Sequence, residues 1–247
     1  MNSRTRDPSS SGKTVAIVQS NYLPWRGYFD LIDEGDLFVF LDDVQYTRRD
    51  WRNRNLIKTS DGLRWLSVPV HFSRNDNTPI QGTLIDYGRD WVSKHIHAIR
   101  SAYGKAPFFK TYSGDLFDIL SSRPDTISEL NIRLIRWIMA HLTIRTELKM
   151  SRDFSPEGKK TGRLLDILKK AGATRYVSGP SAQAYLEKDQ FRDAGIALEY
   201  KRYDLPEYPQ NSGTFEPRVS TIDLLFNCGP DSTQYFKSRV PAEKPCQ

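Results

Sequence analysis

Apolar residues come in short unbroken blocks near the two ends of the chain and in helical steps through its middle. Val15-Ala16-Ile17-Val18 is an uninterrupted apolar run, the pattern of a strand covered on both faces. It stops at Gln19-Ser20-Asn21, and Pro24 bars any continuing ladder. Gly27 to Asp33 predicts a short helix with Tyr28, Phe29 and Ile32 turned inward. Leu37 to Leu41 predicts a second buried strand, closed by Asp42-Asp43. Two apolar strands with so short a connection form a βαβ unit, so they are expected to lie adjacent and parallel.

The middle changes period. Trp51 to Thr59 and Trp65 to His71 predict β segments joined by Ser60-Asp61-Gly62, and polar residues 73–88 predict an excursion over the sheet edge. Helices follow at Trp91 to Tyr103, Phe108 to Leu120 and Asp125 to Leu142, the last with Ser128 as its expected cap. The final third alternates again. A strand is expected at Glu147 to Met150, a helix at Gly158 to Ala171, and strands at Arg175 to Ser178 and Ile196 to Tyr200. Tyr185 and Phe191 fall in helical segments, and a last apolar helix runs from Ser220 to Gly229. The expected fold is α/β: an open, mainly parallel, Rossmann-like sheet with an inserted β excursion and helical segment. One domain is expected over 14–236, between a disordered leader, 1–13, and a tail, 237–247.

Composition narrows the class. Hydrophobic residues make up 38% and charged residues 27% of 247, which suits a globular chain. No apolar run reaches the ~18 residues that cross a bilayer, and residues 1–13 lack the apolar core of a secretory signal. Two cysteines, Cys228 and Cys246, are too few for a disulfide framework, so a cytoplasmic location is expected. Net charge is +6, which permits anionic partners without requiring them.

Several blocks resemble the WbqC-like family. They are Gln19-x-Asn21-Tyr22-Leu23-Pro24-Trp25-x-Gly27-Tyr28-Phe29-Asp30, Leu41-Asp42-Asp43-Val44-Gln45-Tyr46 and Arg49-x-Trp51-Arg52-Asn53-Arg54-Asn55. Val68-Pro69-Val70, Trp91-x-x-x-His95, Ala106-Pro107-x-Phe109, Gly158-Lys159-Lys160-Thr161, Tyr176-x-Ser178-Gly179-Pro180 and Ile222 to Gly229 continue it. The resemblance spans about Val15 to Gly229. It implies a setting in gene clusters for surface glycans or natural products, and so the tailoring of an amino sugar or similar amine.

The residues themselves propose a site. In an open parallel sheet, ligands sit beyond the carboxyl ends of the strands. Gln19, Asn21 and Tyr22 follow one strand, and Asp42 and Asp43 follow the next, so a crevice is expected between them. Against this stands the plainer reading that Asn21 makes a turn and Asp42 caps a loop. Arg48 to Asn55 sets four arginines and Trp51 among amides. In a strand Arg52 and Arg54 would share one face, suited to phosphate or carboxylate, or would form a solvated basic edge. His95 is expected at the cleft wall as a general base, or as a hydrogen-bonded core residue. Lys159 and Lys160, at a helix start, and Ser178, between strand and helix, are candidate phosphate contacts. Tyr46 and Asn55 join the substrate-binding set. Gly158 to Thr161 lacks the Walker A spacing, and Arg26-Gly27-Tyr28 stands where nucleotidylyltransferases carry HxGH. Cys228, at a helix C-terminus, reads as a packing residue. No histidine pair has a metal-ligand spacing joined to a carboxylate or thiolate, and His95-x-His97 alone is a weak signal, so no metal site is expected; the sequence leaves the cofactor open.

These residues suit an acyl or aminoacyl (for example glycyl) transferase acting on a small amine acceptor. Asp42, Asp43 or His95 would take the proton, and Gln19, Asn21 and Asn55 would contact the carbonyl. The activated donor is an ester or thioester carried on tRNA, a carrier protein or coenzyme A. One alternative is a nucleotide-dependent activating, ligating or nucleotide-sugar-modifying enzyme. Another is a non-catalytic RNA- or glycan-binding module.

Overall fold

A computed structural model describes residues 12–73, 77–236 and 238. Nearly all of the expected leader and tail, and residues 74–76 of the polar excursion, lie outside the described residues. The first strand, β1 (Lys13–Val18), begins at Lys13, two residues before the apolar run and inside the expected leader. Helix α1 (Arg26–Glu34) then leads to β2 (Leu37–Phe40). These two strands are adjacent and parallel, with Val15 opposite Leu37 and Val18 opposite Phe40.

Three further strands complete the sheet: β5 (Glu147–Met150), β6 (Ala173–Ser178) and β7 (Ala197–Tyr200). Their spatial order is β5-β2-β1-β6-β7, and every neighbouring pair is parallel. This is the Rossmann-like α/β sheet that the apolar runs predict. Helices α5 (Lys160–Lys170) and α6 (Lys188–Asp193) provide the crossovers on either side of β6.

Alternation along the strands divides the apolar residues between two cores. Ala16, Phe38 and Phe40 face Phe29 and Ile32 of α1 and the inserted helices. Val15, Ile17, Leu37 and Val39 face Leu164, Leu168 and Phe191 of α5 and α6. Both faces are covered, which is why these strands read as continuous apolar runs. Burial of each such side chain contributes about 1.5–3 kcal/mol against chain entropy.

The insert begins with β3 (Arg54–Thr59) and β4 (Gly62–Ser67), an antiparallel hairpin separate from the main sheet. Both strands are shorter than expected, and residues 51–53 form a turn. The hairpin is fastened to the chain after β1: Tyr22 N donates to Trp51 O at 2.9 Å, and Asn55 Nδ2 donates to Leu23 O at 2.8 Å. Helices α2 (Trp91–Tyr103), α3 (Phe109–Ser121) and α4 (Ile127–His141) follow, and α7 (Thr221–Cys228) comes after the sheet. The cap of α4 is Thr126, which accepts from Glu129 N, rather than Ser128. Ser128 is buried inside the first turn and points elsewhere. Gly229 ends α7 at φ +54°, and a Cβ there would meet the Phe108 ring at 2.5 Å, so only glycine fits.

Sheet order fixes where a crevice opens. Successive strands run outward from β1 through β2 to β5, then resume on its other side at β6. The direction therefore reverses between β1 and β6. The apolar pattern placed the crevice between the ends of β1 and β2. The observed switch point moves it one strand over, toward the loop after β6.

Candidate functional site

Asp42 follows β2 but is fully buried. Its Oδ1 accepts from Ser20 N at 2.8 Å and its Oδ2 accepts from the Ser128 hydroxyl. Burial pushes its pKa up, against the lowering effect of those hydrogen bonds. Asn131 completes the junction, donating to Ser20 Oγ at 3.2 Å and to Arg52 O at 2.8 Å. Asp42 thus joins the ends of β1 and β2 to α4. With both oxygens engaged and no solvent contact, it is not placed to receive a substrate proton.

His95 lies on the buried face of α2. Its Nδ1 lies 2.9 Å from the Tyr22 hydroxyl, its other hydrogen-bond contact is the Ser67 backbone, and its ring packs against Trp91 and Tyr22. Burial pushes its pKa down to about 4. This is the neutral core histidine of the plainer reading, with its hydrogen bonds used inside the protein. Tyr22 is fully buried beside it. Asn55 holds the Tyr22 and Leu23 carbonyls. Tyr46 packs on Phe72, and burial raises its pKa to about 12. These three expected substrate contacts therefore face the interior.

Other residues remain at the carboxyl edge of the sheet. Asn21 Oδ1 accepts from Arg52 Nη1 at 2.9 Å, and Arg52 also lies 3.5 Å from Asp50. The Arg52 side chain is 13% exposed, and its Nε is shielded without a partner. Its charge reaches Tyr185, an exposed residue in the segment after β6, as well as Asp42. Gln19 stands beside Asn21, with its carbonyl accepting from the Tyr28 hydroxyl at 3.0 Å. Ser178 ends β6 and is nearly buried, its Oγ accepting from the Tyr176 hydroxyl at 3.3 Å.

The start of α5 closes this edge. Arg163 Nη2 pairs with Asp43 Oδ2 at 2.5 Å, and Thr161 Oγ1 accepts from Glu187 N at 3.4 Å. The segments after β2 and β6 therefore both touch the first turn of α5. Asp43 Oδ1 and Arg163 Nε lack partners and are shielded from solvent, the condition that a bound ligand or water relieves. Lys159 and Lys160 are exposed on the same turn.

Arg54 departs from the expected common face with Arg52, because residues 51–53 turn rather than extend. Its guanidinium lies 4.3 Å over the Trp65 ring, on the outer side of the hairpin. The sequence reading missed Arg163, Ser128, Asn131 and Tyr185. Ser128 and Asn131 were detectable as polar residues three apart on an otherwise apolar stripe. Arg163 was detectable as a third cation one turn beyond Lys159. Nothing local marked Tyr185. Cys228 is buried with its pKa raised to about 11 by burial, as a packing thiol.

The arrangement offers guanidinium and amide donors for an anion beside an ion-paired carboxylate. Among the described residues no group of histidines, cysteines and carboxylates could hold a metal ion. No helix among them is long and apolar enough to cross a membrane. Open depressions of about 600 Å³ at α6–β7 and about 430 Å³ near Tyr87 and Arg123 do not include the crevice residues.

Similarity to known proteins agrees with this architecture. A Mycobacterium tuberculosis protein described as "Uncharacterized protein Rv1507c" is 46% identical over 227 residues, covering 91% of this chain and 98% of that one. No solved structure matches. The WbqC-like protein family matches residues 19–235, so the chain belongs to that family.

Proposed function

We propose that the chain is an enzyme that binds the anionic part of an activated donor between the ends of β1 and β6. It passes the donor's acyl or aminoacyl group to an amine in surface-glycan or natural-product tailoring. The observation that supports this reading is Arg52: a largely shielded guanidinium held by Asn21 at the switch point, with a donor to spare. A guanidinium there suits phosphate or carboxylate. In the transfer, the amine nitrogen attacks the carbonyl carbon, a C–N bond forms, and the C–O or C–S bond breaks. The amine's proton passes to Asp43, whose Oδ1 is unpartnered, and from Asp43 to the departing oxygen or sulfur, which leaves as the alcohol or thiol. The Gln19 side chain supplies a donor to the developing oxyanion.

Calorimetry with pyrophosphate and coenzyme A, on wild type and Arg52→Ala, tests the binding half. Loss of a charged hydrogen bond should weaken binding by about tenfold or more. Equal affinities in a folded variant would move the donor elsewhere. The doubly wound strand order also favours a second reading, nucleotide-dependent activation at the same crevice. In that case ATP raises the melting temperature and is cleaved during turnover.

A further inference from the structure

Two indoles are exposed beside the crevice, Trp65 on the hairpin and Trp51 in the turn that leads into it. Trp51 is 43% and Trp65 44% exposed, with ring centroids 5.6 Å apart and planes 36° from parallel. The Arg54 guanidinium covers Trp65 at 4.3 Å and donates to Arg49 O. Leu63, 45% exposed, lies two residues before Trp65 and so on the same face of β4. The hairpin's other face is where Ile57 and Leu66 are buried, so the core is complete without the indoles. Large aromatics left in water on one face mark an interaction surface. Four arginines against one carboxylate, Asp50, make this stretch cationic, and Asp50 is already engaged by Thr47, Trp51 N and Arg52.

We propose that Trp51, Trp65 and Arg54 form a stacking platform for the bases of an unpaired nucleic-acid strand, with Arg49 available to its phosphates. Bases supply flat π faces that an indole accepts whatever the sequence, and the backbone supplies the negative charge that the arginines complement. A neutral sugar would use the indoles but gain nothing from the cations. A protein partner would need a larger apolar surface than these side chains expose. Trp51 neighbours Arg52 in the chain, and its carbonyl is bonded to Tyr22 N, so the strand lies beside the crevice. That its end enters the crevice as donor rests on the reading above; the platform itself does not.

The test is fluorescence anisotropy of labelled 12-nucleotide RNA and DNA single strands, and of the matching duplexes, on the full chain across a salt series. Binding should be tighter for single strands than for duplexes and should weaken with salt. Trp51→Ala and Trp65→Ala should each cost about tenfold in affinity at unchanged melting temperature. The better of the RNA and DNA arms identifies the natural strand. Equal binding of duplex, no binding of either strand at low salt, or unaltered affinity in both variants would overturn the platform. So would displacement by a neutral oligosaccharide. Arg52→Ala, read with pyrophosphate, reports on the crevice separately, so failure of one proposal leaves the other measurable.

Discussion

Asp42 and Asp43 are neighbours in sequence with different work, because β2 ends at Phe40 and the chain turns at these two residues. Asp42 enters the junction of Ser20 and Ser128, while Asp43 reaches Arg163. Asp42→Asn puts an amide donor against the Ser128 hydroxyl. It is expected to lower stability by about 1–3 kcal/mol while leaving pyrophosphate binding intact. Denaturation together with calorimetry checks this, and a variant of native stability that had lost binding would return Asp42 to the site. His95 gives a pH signature. Its pKa is near 4 when folded and near 6.5 when unfolded, so between these values the unfolded chain holds a proton that the folded one does not. Its contribution is complete above pH 6.5 and is lost as pH falls toward 4, up to about 3 kcal/mol. In urea melts at pH 7.5, 5.5 and 4.5, His95→Gln should show a shallower loss than wild type. Parallel losses would mean that another group carries the dependence.

At the scale of elements, termini and turns decide what the apolar pattern leaves open. Thr126 caps α4 through Glu129 N, freeing Ser128 to reach Asp42. Thr126→Ala should cost about 1 kcal/mol through the lost cap alone. Ser128→Ala should cost more, since it also leaves a buried carboxylate oxygen unpaired. Thermal denaturation of the two variants side by side gives the order, and the reverse order would deny Ser128 its structural part. Helix α2 was legible to the residue, because Trp91, His95, Ile99 and Tyr103 mark one face and Asp90 supplies the cap. The hairpin was legible only in outline. Its exposed strand β4 carries leucine and tryptophan on the outer face, so period alone could not show where pairing begins.

Across the whole molecule, the two halves of the sheet are tied by a buried ionic group. Lys201, just past β7, lies 2.8 Å from Asp30 and 2.5 Å from Glu34, both on α1. Burial alone would raise the Glu34 pKa, but Lys201 and Arg175 together hold it below the usual range. Lys201→Met would leave Asp30, which is fully buried, without its cation. A loss of about 3–5 kcal/mol is expected. Equilibrium denaturation measures it, and a loss under 1 kcal/mol would show that Asp30 is neutralised by other means.

The sequence by itself determined the class of fold, the adjacency of β1 and β2, and the helical insert. Strands buried on both faces and helices buried on one leave different periods in the chain, and each period is a local property. Strand order is not local. Only the tertiary structure put β6 beside β1, which moved the crevice to that side of the sheet. Burial of polar groups is likewise decided by neighbours far along the chain. Asp42 meets Ser128 across 86 positions, and Tyr22 meets His95 across 73. A carboxylate or imidazole has the same local signature whether it faces a cleft or a hydroxyl, so only packing could separate the residues of the crevice from those that hold it together.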